Sequence, residues 1–235
     1  MELVDVGDSK SPGGDTVPVR VRPRALIEDY ACNLFLYLEG KRMKPEQLLS
    51  ILHRANDLKI QTRHNWTIGD RKESVADHSW RIALMAMLLS DEEEFRSLDM
   101  NKVIRMCLIH DLGEAFTGDI PAFEKHEEDE IKEEQLFMSW VTTFPDEQKN
   151  SWLTLLEEMK ALQTKEAKVF KALDKLEAVI SHDEADISTW LPLEYELQFV
   201  YGNENVQFSP YLKELKAAID ILTKEKIQNE NIDLK

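Results

Sequence analysis

Apolar residues recur at steps of three and four along most of this chain, and this spacing restricts the fold more than any other feature. The alternation expected of strands is scarce. Steps of three and four place side chains on one face of an α-helix, which must be buried against another element. The sequence therefore predicts an all-α, compact helical bundle, with helices near residues 24–40, 45–58, 74–89, 101–110, 124–143, 146–161, 166–182 and 211–226.

Two histidines occupy the apolar stripes of predicted helices. His78 lies inside the stripe of the helix that begins at Ser74, and His110 ends the stripe of the helix that Asn101 is expected to cap. A buried imidazole needs a polar partner, and Asp111 follows His110 directly. A metal ion would satisfy both residues. An isolated His-Asp pair would equally suit a capped helix end beside an acidic loop.

Asp174 is a further candidate ligand, because it lies in the apolar helical segment 169–180. A carboxylate in such a segment is either a ligand or the partner of a lysine, and Lys171 and Lys175 are both close in sequence. Two imidazoles and two carboxylates form a mixed nitrogen and oxygen set that suits Mn²⁺, Co²⁺, Fe²⁺ or Ni²⁺ and can hold Zn²⁺. Four protein ligands on a six-coordinate ion leave positions for water or substrate.

The charge of the chain excludes some classes of partner. Its 29 basic and 45 acidic residues give a net charge of −16, which disfavours nucleic acid polymers and anionic membranes. No apolar run is long enough for a transmembrane helix, and no signal peptide is recognisable. We therefore expect an intracellular, cytoplasmic protein. Residues 1–23, rich in proline and glycine, are expected to form a flexible N-terminal leader, and residues 24–235 one domain.

Several motifs resemble those of the HD-domain phosphohydrolases, whose pattern is H…HD…D, and within them the 5′-deoxynucleotidase branch. Over residues 45–225, the similar segments are Glu73-Ser-Val-Ala-Asp-His-Ser79, His110-Asp-Leu-Gly-Glu114, Thr117-Gly-Asp-Ile-Pro121 and Leu173-Asp-Lys175, preceded by Arg63 and Trp66. The resemblance implies an HD domain with flanking helices in residues 24–235. It also implies a homodimer, for which the apolar helix at 26–38 could serve as an interface.

The resemblance also implies a role for each matching residue. One divalent metal ion would be held by His78, His110, Asp111 and Asp174. Glu114 would transfer protons, Arg63 would bind the phosphate, Asp119 would lie near the sugar 3′-hydroxyl and Trp66 would line the pocket. The physical chemistry agrees, since a metal activates water near neutral pH and a guanidinium matches phosphate oxygens.

The predicted function is the metal-dependent hydrolysis of deoxyribonucleoside 5′-monophosphates to deoxynucleoside and phosphate. The alternatives are another HD-type enzyme, either an oxygenase or a phosphodiesterase, and a non-catalytic nucleotide-binding scaffold. The two alternative enzymes need extra ligands, for which His126, Glu127 and Glu130 are the obvious candidates. A second His-Asp pair, His182-Asp183, lies in a polar stretch and is expected to be exposed.

Overall fold

The computed structural model of the chain describes residues 42–67 and 71–229. These residues are mostly helical, so the all-α class is confirmed. The helices are α1 (Pro45–Ala55), α2 (Val75–Leu89), α3 (Met100–Ile109), α4 (Glu114–Thr117), α5 (Glu127–Val141), α6 (Asp146–Ala161), α7 (Lys165–Glu184), α8 (Glu194–Val200) and α9 (Pro210–Asn229), with 3-10 turns at Asn56–Lys59 and Ile187–Thr189. The predicted leader at 1–23, the helix predicted at 24–40 and Cys32 lie outside the described residues.

A short antiparallel hairpin precedes α2. Strand β1 (Thr62–Trp66) pairs with β2 (Lys72–Ser74), with Thr62 opposite Ser74 and Trp66 opposite Lys72. The periodicity of the sequence does not indicate this hairpin. Apolar alternation is missing from β1 because its central residues line a polar cavity instead of the apolar core.

Helices α2, α3 and α7 form the centre of the fold. Their inner faces contribute fully buried side chains, including Val75, Ile82, Val103, Met106, Leu173 and Leu176. Each such side chain contributes about 1.5–3 kcal/mol on burial. The three helices that carry the candidate ligands are therefore also the helices most firmly held in the core.

Side chains fix where α2 and α3 begin. The Ser74 hydroxyl accepts a hydrogen bond from the Asp77 amide (3.1 Å), and the Asp77 carboxylate accepts one from the Ser74 amide (2.9 Å), which confirms the predicted start of α2. Helix α3 begins one residue before Asn101, because Asp99 is the residue that accepts a hydrogen bond from the Lys102 amide (3.0 Å). The prediction of Asn101 as the cap is wrong.

Helices α5 and α6 pack through aromatic rings. The Trp140 ring centroid lies 4.8 Å from that of Phe144, which lies 5.1 Å from that of Trp152. On α5, Phe137 and Val141 are buried, whereas Ile131 and Leu136 are exposed. Within the described residues, no helix is long and apolar enough to cross a membrane.

Candidate metal centre

The structure brings His78, His110, Asp111 and Asp174 together from three helices. His78 is fully buried on α2, His110 ends α3 and Asp174 lies in the middle of α7. The Nε2 atom of His78 lies 3.3 Å from Asp174 Oδ1 and 3.8 Å from Asp111 Oδ2, and the Nε2 atom of His110 lies 2.9 Å from Asp111 Oδ2 and 3.8 Å from Asp174 Oδ1. Two imidazole nitrogens and two carboxylate oxygens thus lie close together, and the ligand atoms of His78, His110 and Asp111 all lie within 4.8 Å of one another.

Hydrogen bonds on the far side of each ring determine which nitrogen faces this cluster. His110 Nδ1 donates to the Cys107 carbonyl (2.9 Å), and His78 Nδ1 donates to the Glu177 carboxylate. In a neutral ring, each Nε2 atom then presents a lone pair to carboxylate oxygens. His110 Nε2 is buried and has no hydrogen-bond partner among the described residues. Lone pairs facing one another require a shared cation, so these residues fit a divalent metal ion.

The electrostatics of the cluster also favour a positive charge among these atoms. Burial and Arg63 oppose protonation of His78, but its hydrogen bonds with Asp174 and Glu177 outweigh them and raise its pKa to about 9. Without a metal, a proton is therefore the cation that the cluster holds. A metal ion binding here would displace that proton, as is general for histidine ligands.

Asp174 serves two sets of partners with its two oxygens. Its Oδ1 faces the two histidines, while its Oδ2 accepts from Lys171 Nζ (2.9 Å) and lies 3.5 Å from Lys175 Nζ. Although burial opposes its charge, the two lysines and the imidazoles hold the pKa of Asp174 well below its ordinary value. The lysine pairing foreseen as one alternative is therefore present in the structure, and the role of Asp174 as a metal ligand stays a prediction.

Arg63 approaches the centre from β1. Its Nε atom lies 3.2 Å from Glu73 Oε2, and its terminal nitrogen lies 3.7 Å from Asp111 Oδ2. Although burial opposes the charge, Asp111 and Glu73 hold the pKa of Arg63 above its ordinary value. The guanidinium lines a cavity of 440 Å³ together with Asp174, so it adds a permanent positive charge beside the candidate ligands.

Glu114 and Asp119 line the same cavity. Glu114 begins the short helix α4, and Gly118 follows that helix with a φ of 78°, a conformation that favours glycine and turns the chain before Asp119. Burial, and then the nearby charge of Asp111, raise the pKa of Glu114 to about 10. Burial likewise raises the pKa of Asp119. Glu114 therefore favours the protonated form near neutral pH, which allows it to donate a hydrogen bond.

Among the predicted catalytic and substrate-binding residues, Trp66 is the one that does not line this cavity. Of the four candidate ligands, Asp174 lines it, whereas His110 and Asp111 line a second cavity that shares Lys171 with the first. Trp66 ends β1, and its ring lies 5.7 Å from the ammonium group of Lys72 on the paired strand. Thr67 follows Trp66, and residues 68–70 after that are not among those described. The structure does not bring Trp66 to the other candidate residues, and its contact with a substrate stays a prediction.

A polar wall of the cavity was missed by sequence reasoning. His182 is 7% exposed, donates from Nδ1 to Asn65 Oδ1 (2.9 Å) and stacks on Trp190 with 4.6 Å between ring centroids. The prediction that His182 is exposed is wrong, because β1 and the segment before α8 cover the end of α7. The Glu194 carboxylate lies between His182 Nε2 (3.4 Å) and His64 Nε2 (3.2 Å).

Two buried acids behind the ligands were also missed. Glu73 contacts Arg63 and Glu177 contacts His78, and both acids are buried. A sequence signal existed for Glu177, since it lies one helical turn after Asp174 on an apolar helix. Glu73 had a weaker signal, as it precedes the helix cap at Ser74.

The comparisons with known proteins agree with this arrangement. The sequence profile of the HD domain family matches residues 55–216. The 5′-deoxynucleotidase HDDC2 of Xenopus laevis is 35% identical over 139 residues, which cover 57% of this chain and 67% of that protein, and the 5′-deoxynucleotidase HDDC2 of Homo sapiens is 33% identical over 141 residues, covering 58% and 67%.

A solved structure shares the fold. It is a protein from Magnetospirillum magnetotacticum described as a predicted metal-dependent phosphohydrolase, with a TM-score of 0.66 and 24% sequence identity, and the alignment covers 82% of this chain and 100% of that one. The match of the family profile extends from the end of α1 into α9 and includes all four candidate ligands. This chain therefore belongs to the HD domain family.

Proposed function

We propose that this chain hydrolyses deoxyribonucleoside 5′-monophosphates to deoxynucleoside and phosphate, with one divalent metal ion held by His78, His110, Asp111 and Asp174. The observation that supports this most is the convergence of two oriented imidazoles and two carboxylates beside a cavity that also contains Arg63. Relatives named 5′-deoxynucleotidase support the choice of substrate.

Arg63 and the metal ion held by the candidate ligands would both bind the phosphate. When bound, a divalent ion supplies Lewis acidity, which activates water near neutral pH and neutralises phosphate charge. Arg63 would donate to the phosphate oxygens from its terminal nitrogens, since Glu73 pairs with its Nε atom and leaves the terminal nitrogens near the cavity. The guanidinium would thereby orient the phosphorus toward the activated water.

Glu114 would move the proton of the reaction. It is 4% exposed, faces the cavity, and its Oε2 atom has no hydrogen-bond partner among the described residues. In its protonated form it would donate to the leaving 5′-oxygen, and the resulting carboxylate would then accept a proton from water. Asp119, on the same cavity wall, would bind the sugar 3′-hydroxyl.

The alternative functions lack support from the geometry. Two groups of residues in the described parts of the chain have the spacing of a metal site, His78 with His110 and Asp111, and Glu73 with His78 and Glu177. Neither group includes His126, Glu127 or Glu130, the extra ligands that an oxygenase or phosphodiesterase would need. A scaffold would have no need for the buried Glu114 beside these ligands.

A phosphate-release assay tests the proposal. The purified full chain, freed of metal by a chelator, would be supplied with Mn²⁺, Co²⁺, Mg²⁺ or Zn²⁺ and incubated with all ribo- and deoxyribonucleoside monophosphates. We expect release from deoxyribonucleoside 5′-monophosphates only when a divalent ion is present. Asp174→Ala should lose both tight metal binding and activity, whereas Asp91→Ala, at an exposed acid outside the cavity, should keep both. Full metal occupancy in Asp174→Ala would remove that residue from the site.

The assembly and location of the protein are also proposals. The helix at 26–38, which could form the interface of a homodimer, lies outside the described parts of the chain. The cytoplasmic location is inferred from the sequence alone. Light scattering of the full chain, compared with a chain starting at residue 42, would test the role of this helix in a dimer.

A further inference from the structure

Two carboxylates lie side by side behind the candidate metal centre, and neither is a candidate metal ligand or would itself contact the substrate. Glu177, on α7, is completely buried, and Glu73, on β2, is 3% exposed. One oxygen of each carboxylate and one ring nitrogen of His78 all lie within 4.8 Å of one another. Burying two like charges together is unfavourable, so their neighbours must compensate for them.

Two arginines supply this compensation. The Nε atom of Arg63 lies 3.2 Å from Glu73, and the Nε atom of Arg81 lies 3.7 Å from Glu177. Ser181 donates a hydrogen bond to the second oxygen of Glu73 (2.7 Å). The group has the spacing of a metal site, but two guanidinium charges already balance its two carboxylates. A second metal ion is therefore not needed here.

Each carboxylate also contacts a residue of the proposed active site. Glu177 accepts the hydrogen bond from His78 Nδ1 and so fixes which nitrogen of that ring faces Asp174 and Asp111. Glu73 holds the Nε side of Arg63, whose terminal nitrogen points toward Asp111. The pair thus lies between a candidate metal ligand and the candidate phosphate-binding residue.

We propose that Glu177 and Glu73 are positioning residues that act as one unit, with Glu177 orienting His78 toward the metal and Glu73 orienting Arg63 toward the phosphate. The assignment of phosphate to Arg63 rests on the proposed function, whereas the effect of Glu177 on metal binding rests on the geometry alone. Because an oxygen of one carboxylate lies within 4.8 Å of an oxygen of the other, we expect the displacement of either one to affect the other.

The first test measures metal affinity without any turnover. Mn²⁺ is titrated by calorimetry into the chelator-treated full chain. Removing an outer-shell partner of a histidine ligand typically weakens metal binding about 10- to 100-fold, and we expect this loss in Glu177→Ala. Glu177→Gln keeps an acceptor oxygen but lacks the charge, so its loss should be smaller, with a shift in the absorption spectrum of bound Co²⁺. Glu184→Gln is the matched control, because Glu184 is an exposed acid on the same helix that pairs with Arg81.

Wild-type Mn²⁺ affinity in Glu177→Ala would overturn the role of Glu177. Should that variant fail to fold, as judged by circular dichroism, Glu177→Gln decides the question. Unchanged Mn²⁺ affinity together with an unchanged Co²⁺ spectrum in Glu177→Gln would overturn the proposal as well. Since neither measurement needs a substrate, a chain that binds Mn²⁺ as expected but releases no phosphate would refute only the proposed function.

The second test concerns the link between the two acids. Inorganic phosphate is titrated by calorimetry into the Mn²⁺-loaded protein. Glu73→Gln should weaken phosphate binding more than Mn²⁺ binding, because Arg63 then turns toward its other close acid, Asp111. In the double variant Glu73→Gln with Glu177→Gln, the change in Mn²⁺ affinity should differ by at least about twofold from the product of the two single changes, as for residues in contact. A change in Mn²⁺ affinity in the double variant that equals the product of the two single changes would overturn the proposal that the two acids act as one unit. Unchanged phosphate binding in Glu73→Gln would overturn it as well.

Discussion

Arg63→Lys is the substitution that most directly tests how the phosphate is bound. The side chain of Arg63 is 18% exposed, and its two ends serve different partners, with Nε at 3.2 Å from Glu73 and a terminal nitrogen at 3.7 Å from Asp111. A lysine carries one ammonium group on a flexible stem. It cannot contact Glu73 and also present a planar pair of donors to a phosphate in the cavity.

The expected size of the effect follows from the contacts that are lost. Lysine keeps the positive charge, so the loss is that of a charged hydrogen bond to the phosphate, which is worth about 1.5–3 kcal/mol. At 1.36 kcal/mol for each factor of ten, kcat/KM should fall about 10- to 150-fold. Because His78, His110, Asp111 and Asp174 are unchanged, the metal content should stay at the wild-type value.

The assay is steady-state phosphate release from a deoxyribonucleoside 5′-monophosphate, with metal content measured on the same samples. Arg54→Lys is the matched control, since Arg54 pairs with Asp57 on the surface (2.9 Å) and does not line the cavity. Wild-type kcat/KM in Arg63→Lys would refute the argument and show that another group binds the phosphate. A loss of metal in that variant would instead show that Arg63 acts mainly through Asp111.

Two further predictions concern the sugar and the helix cap. Asp119→Ala should keep its metal but lose about 1–3 kcal/mol of preference for deoxyribose over ribose, because an unmatched buried polar group costs that much. The loss would be measured as a smaller ratio of kcat/KM for dAMP to kcat/KM for AMP. An unchanged ratio would contradict this role. Asp77→Asn should lower the free energy of unfolding at pH 7 by about 1 kcal/mol, the usual value of a helix cap, measured by urea denaturation. Although burial opposes its charge, Arg71 and Ser74 hold the pKa of Asp77 below its ordinary value. The stabilisation of the folded protein by the Asp77 carboxylate is therefore fully present above the unfolded pKa of about 3.9, and it is lost as the pH falls through the folded pKa. The two proteins should therefore become equally stable in strong acid, and a pH-independent difference would contradict the argument.

The candidate ligands could be placed from the sequence because their positions follow from local geometry. On a helix, spacing alone decides whether a residue shares a face with apolar neighbours, and His78 shares the face of Val75 and Ile82, both of which are fully buried. The same reasoning could not choose between a lysine partner and a ligand role for Asp174, because the two oxygens of one carboxylate face different neighbours. That distinction depends on how α7 meets α2 and α3, which no local pattern encodes.

The polar wall of the cavity escaped prediction for a related physical reason. A polar residue is buried only where a partner compensates for its desolvation, and the partner of His182 is Asn65, 117 positions away in the chain. The stretch around His182 has the composition of an exposed segment, and only the arrival of β1, Trp190 and Glu194 makes it interior. The positions of the candidate ligands His78 and His110 thus follow from the periodicity of single helices. Residues that form the outer cavity depend on pairings between distant elements, so the choice among nucleotide substrates should be sought in these long-range contacts.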